Sequence, residues 1–140
     1  MSPDAISGSL RELVIQRAGG RCEYCQLSQL GQEATFHIDH ILPRARGGRS
    51  DANNLALACV SCSLRKGARL SATDPQSGGQ VRLFNPREDI WQEHFRWIEG
   101  VFLRGLTPIG RATIAALALN RPLIIAIRQA EIALGHHPPS

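Results

Sequence analysis

The 140-residue sequence predicts an α+β fold, with a compact mixed core over residues 1–70 and a mostly helical extension over residues 71–140. Three observations predict it. Two short runs, Thr35–Ile41 and Leu55–Ala58, have the composition of strands. Two C-x-x-C pairs flank them. Past residue 85 the apolar positions recur mainly at helical spacing.

In chain order, Ser9 and Glu12 have capping-box spacing, and Leu10, Leu13, Val14 and Ala18 form an apolar stripe. That predicts a short helix ended by Gly19-Gly20. A tight turn holds Cys22 and Cys25, and the Thr35–Ile41 strand follows. Residues 43–54 are expected as a loop, given Gly47-Gly48, Ser50, Asp51 and two asparagines. After the second strand, Val60–Lys66 predicts a short helix closed by Gly67. Residues 71–80 read as a linker or exposed turn, and Val81–Phe84 as a strand. Asn85-Pro86-Arg87-Glu88 sets a cap, an N1 proline and an N3 glutamate before a helix carrying Ile90, Trp91, Phe95 and Ile98. A strand over 101–106, a helix from Thr107-Pro108 to about Leu119 and a last helix from Pro122 to about Leu134 complete the α/β extension, expected to pack on the core.

The chain is ordinary in hydrophobic content, at 43%, and carries a formal charge of +4, which suits a polyanionic partner. Lys66 is its one lysine; arginine supplies the rest of the positive charge. The most apolar stretch, 112–134, is broken by Asn120, Arg121, Pro122, Arg128 and Glu131, so no membrane span is expected. Residues 1–10 lack the pattern of a secretory signal, and a cytoplasmic location is the expectation.

In a reducing compartment, Cys22, Cys25, Cys59 and Cys62 read as metal ligands before disulfides or redox-active turns. Each two-residue spacer brings two thiolates to one tetrahedral ion, and a closed Cys₄ site favours structural Zn²⁺. Such a site has no open position for chemistry.

Between the pairs lie Phe36-His37-Ile38-Asp39-His40-Ile41-Leu42-Pro43, Gly47-Gly48 and Asn54-Leu55, followed by Cys59-Val60-Ser61-Cys62-Ser63-Leu64-Arg65-Lys66. This arrangement resembles the HNH, or ββα-metal, endonuclease family over about residues 20–67. The resemblance implies a metal-dependent DNA endonuclease or nickase that leaves 5′-phosphate and 3′-hydroxyl ends. His40 matches the family's general base, and an imidazole titrates near working pH. Asp39 matches a ligand for a catalytic divalent cation, Mg²⁺ or Mn²⁺, which a hard carboxylate suits. Asn54 matches the asparagine that ties the loop to the strand. Adjacent strand residues face opposite sides, so Asp39 and His40 share a site only where the strand bends into its loop. His37, two residues before Asp39, is read as a packed histidine, with an auxiliary role at the metal as the alternative.

Ser63 departs from the family, which carries His or Asn at that point. A short neutral hydroxyl is a poorer cation ligand. Reduced activity, compensation by His37, or a catalytically decayed, zinc-stabilised DNA-binding module all remain open. Arg44, Arg46, Arg49, Arg65, Lys66 and Arg69 form the expected nucleic-acid-binding set. In the extension, Trp91, Phe95 and Trp97 are expected in the core, His94 as a packed or capping histidine, and Arg111 and Arg121 as DNA contacts or helix-end caps. Monomer and homodimer are both left open.

Overall fold

A computed structural model describes residues 5–139. The chain divides into two compact units, one ending at Ala68 and the other beginning at Arg69. The architecture is α+β, with helices and, among the described residues, three two-stranded antiparallel sheets.

The first unit opens with α1 (Gly8–Arg17). Ser7, not Ser9, is its cap: Ser7 Oγ accepts from Leu10 N at 3.1 Å. Glu12 instead accepts from Gln16 Nε2, one turn on, at 2.9 Å. The expected apolar stripe is narrower than predicted, because Val14 is fully buried while Leu13 is 49% exposed. Gly19 and Gly20, both at positive φ, turn the chain out of the helix.

Strand β1 (His37–His40) pairs with β2 (Leu55–Ala58), setting His37 opposite Ala58 and Asp39 opposite Ala56. Directly opposed residues share a face, so two polar side chains of β1 meet only methyl groups across the ladder. All four residues of β2 are buried, which explains its unbroken apolar run. The Cys22–Cys25 turn docks on β2, with Glu23 N donating to Leu57 O and Leu57 N to Glu23 Oε2, both at 2.8 Å. In the loop between the strands, a Cβ on Gly48 would lie 1.7 Å from Leu42 O, so this position takes only glycine. Helix α2 (Val60–Lys66) follows β2 directly, with Cys59 as its cap.

In the second unit the expected linker is a hairpin. Strands β3 (Ser71–Thr73) and β4 (Gln80–Arg82) pair, and Asp74 organises the turn between them. Its carboxylate is fully buried and accepts from Gln76 N, Ser77 Oγ and, in a fork at 2.9 Å for each bond, Arg111. Asn85 caps only one turn, through Arg87 N at 2.9 Å. The long helix expected after it is replaced by α3 (Trp91–His94) and β5 (Phe95–Ile98). Phe95, Trp97 and Ile98 favour a strand, and β6 (Phe102–Gly105) supplies the partner. Glu99 and Gly100, at φ 54° and 73°, form the connecting turn.

Helix α4 (Pro108–Leu117) is capped by Thr107, whose Oγ1 lies 2.6 Å from His94 Nδ1. A Cβ on Gly110 would meet His94 O at 2.1 Å, which sets how closely α4 and α3 approach. Helix α5 (Pro122–Ala133) ends the unit. Phe84, Phe95, Leu103, Leu117, Leu119 and Ile124 form its core, and buried Arg128 stacks over Trp97 at 5.0 Å. Phe95 is 2% exposed, while Trp91 and Trp97 are half-buried. Arg111 is neither a helix-end cap nor turned outward, since Asp74 takes its guanidinium. Arg121 caps the end of α4 through Ala118 O at 3.1 Å. No single helix among the described residues is long and apolar enough to cross a membrane; α4 and α5 meet at 101°.

Candidate metal centre and active site

Cys22 and Cys25 come from the turn before β1, while Cys59 and Cys62 lie at the start of α2. All four are buried, none is in a disulfide, and their sulfurs lie within 4.8 Å of one another. The Cys25–Cys59 separation is 3.7 Å. A tetrahedral ion with Zn–S bonds of about 2.3 Å would set its sulfurs roughly 3.8 Å apart. Cys25 N points at Cys22 Sγ (3.5 Å) and Cys62 N at Cys59 Sγ (3.4 Å), contacts that favour thiolate charge. Burial pushes the Cys22 thiol up, neighbouring sulfurs push Cys62 up, and hydrogen bonds from the other three pull Cys59 down. Four thiols this close cannot ionise together without a balancing cation. The donor set is compatible with zinc.

A cavity of about 510 Å³ lies in the same unit, lined by Ile6 and Arg11, residues 35–40, Pro43 and Arg44, and Ser63 and Gly67. Asp39, His40, His37 and Ser63 therefore open on one space. Asp39 is 9% exposed, and its Oδ2 accepts from Tyr24 Oη at 3.3 Å and pairs with Lys66 Nζ at 3.2 Å. Burial pushes the Asp39 carboxyl up from its usual range, while Lys66 and Tyr24 pull it back. Burial also pushes the Tyr24 hydroxyl up, so it remains a donor.

His40 Nε2 lies 2.9 Å from Ser50 Oγ and accepts from Arg44 Nε at 3.3 Å. An N–H donor directed at Nε2 requires a lone pair on that nitrogen. Asn54 does not line the cavity. It accepts from Leu42 N at 2.8 Å and donates to Leu42 O and Arg49 O at 3.0 and 2.9 Å, closing the loop that leaves His40. Ser63 Oγ lies 2.9 Å from His37 Nδ1, so the residue at the divergent position holds the neighbouring histidine.

Lys66 requires a correction. Expected on the nucleic-acid-binding surface, it is 2% exposed, with its ammonium beneath the site on Asp39 and on His40 O at 3.1 Å. The end of α2 faces β1, and the buried carboxylate there draws the charge inward. Of the other basic residues expected on that surface, Arg44 lines the cavity. Arg46 is exposed, Arg49 pairs with Asp51, and Arg65 donates to Ser61 Oγ. Arg69 lies in the second unit, where it donates to Ala116 O. Sequence reasoning missed Tyr24, Ser50 and Arg11. A tyrosine inside a cysteine knuckle and an arginine three residues before a buried valine carry no distinctive signal.

A small antiparallel ββ pair followed by a short helix, with four clustered cysteines, defines a ββα-metal unit. A sequence model of the HNH endonuclease family matches residues 22–69, about a third of the chain. No curated protein and no solved structure matched the chain.

Proposed function

We propose that the first unit is a metal-dependent DNA endonuclease or nickase, with His40 as general base and Asp39 as ligand of a catalytic divalent cation. The lining of one cavity by both residues carries this reading. Tyr24 and Lys66 both engage Asp39 Oδ2, which leaves Oδ1 for a ligand in the cleft. One carboxylate plus waters and substrate phosphate is a donor set Mg²⁺ accepts. When bound, the cation supplies Lewis-acid stabilisation of charge on the phosphate and the departing 3′ oxygen. His40 takes a proton at Nε2 from the attacking water, which displaces the contacts of that nitrogen with both Ser50 and Arg44. The Arg44 guanidinium, released from the imidazole, turns to the phosphate. Asn54 keeps the loop closed, so the imidazole holds its place. The four cysteines bind Zn²⁺ as a structural ion, and the basic loop, Arg46 and Arg49 included, contacts the DNA backbone. A cytoplasmic setting fits the reduced thiols.

The test is nicking of supercoiled plasmid. Activity should require added Mg²⁺ or Mn²⁺ and fall sharply in Asp39→Asn. Cutting without divalent metal, or unchanged cutting by the variant, would remove the metal–Asp39 assignment.

One observation favours a second reading. Ser63 is already committed to His37, and among the described residues the cleft offers no second carboxylate and no cysteine ligand. A zinc-stabilised DNA-binding module with a decayed site would bind DNA in a salt-sensitive way without cutting it, unchanged by His40→Ala.

A further inference from the structure

We propose that Arg11, on α1 and outside the span that matches the HNH family, is a phosphate-binding residue of the cleft and holds a backbone phosphate beside the scissile one. The inference rests on the DNA reading above and extends it to a part of the chain that the motif does not reach. Arg11 is exposed and lines the same cavity as Asp39, His40 and Arg44. Among the described residues it makes no ion pair. The neighbouring acid, Glu12, is occupied by Gln16 at 2.9 Å.

Its position is fixed by packing. Residues three apart on a helix are neighbours on one face, and Val14, three after Arg11, is fully buried. The same helix is pinned at its far end, where the Arg17 guanidinium donates to Leu55 O at the start of β2. Arg11 therefore stands at the edge of a docked face, on a rigid element of the same unit as the base.

The charge balance of the cleft points the same way. Among the described residues its lining holds two arginines, Arg11 and Arg44, against one carboxylate, Asp39. That carboxylate is already balanced from beneath by buried Lys66. The cleft is thus left with an excess of guanidinium, which matches phosphate oxygens in a planar fork. Arg44 sits at the base nitrogen of His40, where the scissile phosphate must come. Arg11 enters from a different element, so it takes a neighbouring phosphate of the same duplex.

The experiment is equilibrium binding of a labelled DNA duplex by the full chain across a salt series, without added divalent metal or chelator. Wild type, Arg11→Gln, Arg11→Lys and Arg44→Gln are compared, with circular dichroism to show that each is folded. Arg11→Gln should reduce the slope of log K against log salt by about 0.9 and weaken binding about eightfold at 0.1 M salt, the signature of one lost phosphate contact. Arg11→Lys should restore the slope. In plasmid nicking, Arg11→Gln should raise KM with little change in kcat. An Arg11→Gln slope and affinity equal to wild type, with Arg44→Gln altered, would overturn the proposal. Wild type that binds but never cuts would remove the nuclease reading while the slopes still decide Arg11. Wild type that binds no DNA at low salt would remove both.

Discussion

Asp39 is gripped from below by Tyr24 and Lys66, and the strength of that grip can be read as stability. Lys66→Met would leave a carboxylate buried without its cation, which costs about 3–5 kcal/mol. Urea unfolding should show the loss, while a comparable change at exposed Arg46 should leave the midpoint unmoved. Ser63 belongs to the same scale. Replacing it by asparagine supplies a longer carbonyl ligand, so Ser63→Asn should raise nicking at limiting Mg²⁺ and converge with wild type at saturation. No gain at any metal concentration would mean that the cleft does not take its third ligand from α2. Side-chain identity was legible here and partnership was not. The Asp39-His40 pair stands out in the sequence, but that Lys66 points inward depends on where α2 meets β1, and no local pattern encodes that.

At the scale of elements, the loop from β1 to β2 behaves as a built part. Gly48 admits the backbone of Leu42 where any Cβ would collide, and Asn54 ties Leu42 and Arg49 together with three hydrogen bonds. Asn54→Ala should therefore destabilise the protein by about 0.5–1.5 kcal/mol, because three exposed loop hydrogen bonds to backbone groups are lost. It should also lower the nicking rate by misplacing His40; a fall in stability with the rate intact would separate the loop from the site. β2 and α2 could be read from sequence to the residue, since an unbroken apolar run and a cysteine-capped helix are local signals. The stretch 85–98 could not. Its cap and N1 proline are genuine but serve a single turn, and the Phe95–Ile98 segment follows its cross-strand partner β6 instead of helical periodicity. The 71–80 stretch misled for a related reason. Its Asp, Pro and Gly residues mark a turn, but the partner that buries Asp74, Arg111, lies far along the chain.

Across the whole molecule, two different devices stabilise the two units. In the first, the cysteine cluster replaces part of a hydrophobic core, and metal analysis should find about one zinc per chain, with chelation lowering the helical signal. A zinc-free chain that stays folded would contradict this. In the second, Asp74 and Arg111 hold the β3–β4 turn to α4. Arg111 holds the Asp74 carboxyl well below the usual carboxylate range. The unfolded chain therefore takes up the proton first, near pH 3.9, and stability present above that pH is lost as the pH falls. Both tryptophans, Trp91 and Trp97, lie in this unit, so their fluorescence reports it selectively. Asp74→Asn should flatten the acid limb of the unfolding curve, and an unchanged limb would show that the pair does not govern it.

The central claim is that His40 works as a base at a metal-assisted cleft. Its most direct test is the single-turnover nicking rate of zinc-loaded, folded His40→Ala against wild type at saturating Mn²⁺. A fall of about 10²–10⁴-fold is expected for loss of a positioned general base. Equal rates for the two proteins, or no cutting by wild type on any DNA form, would contradict the claim.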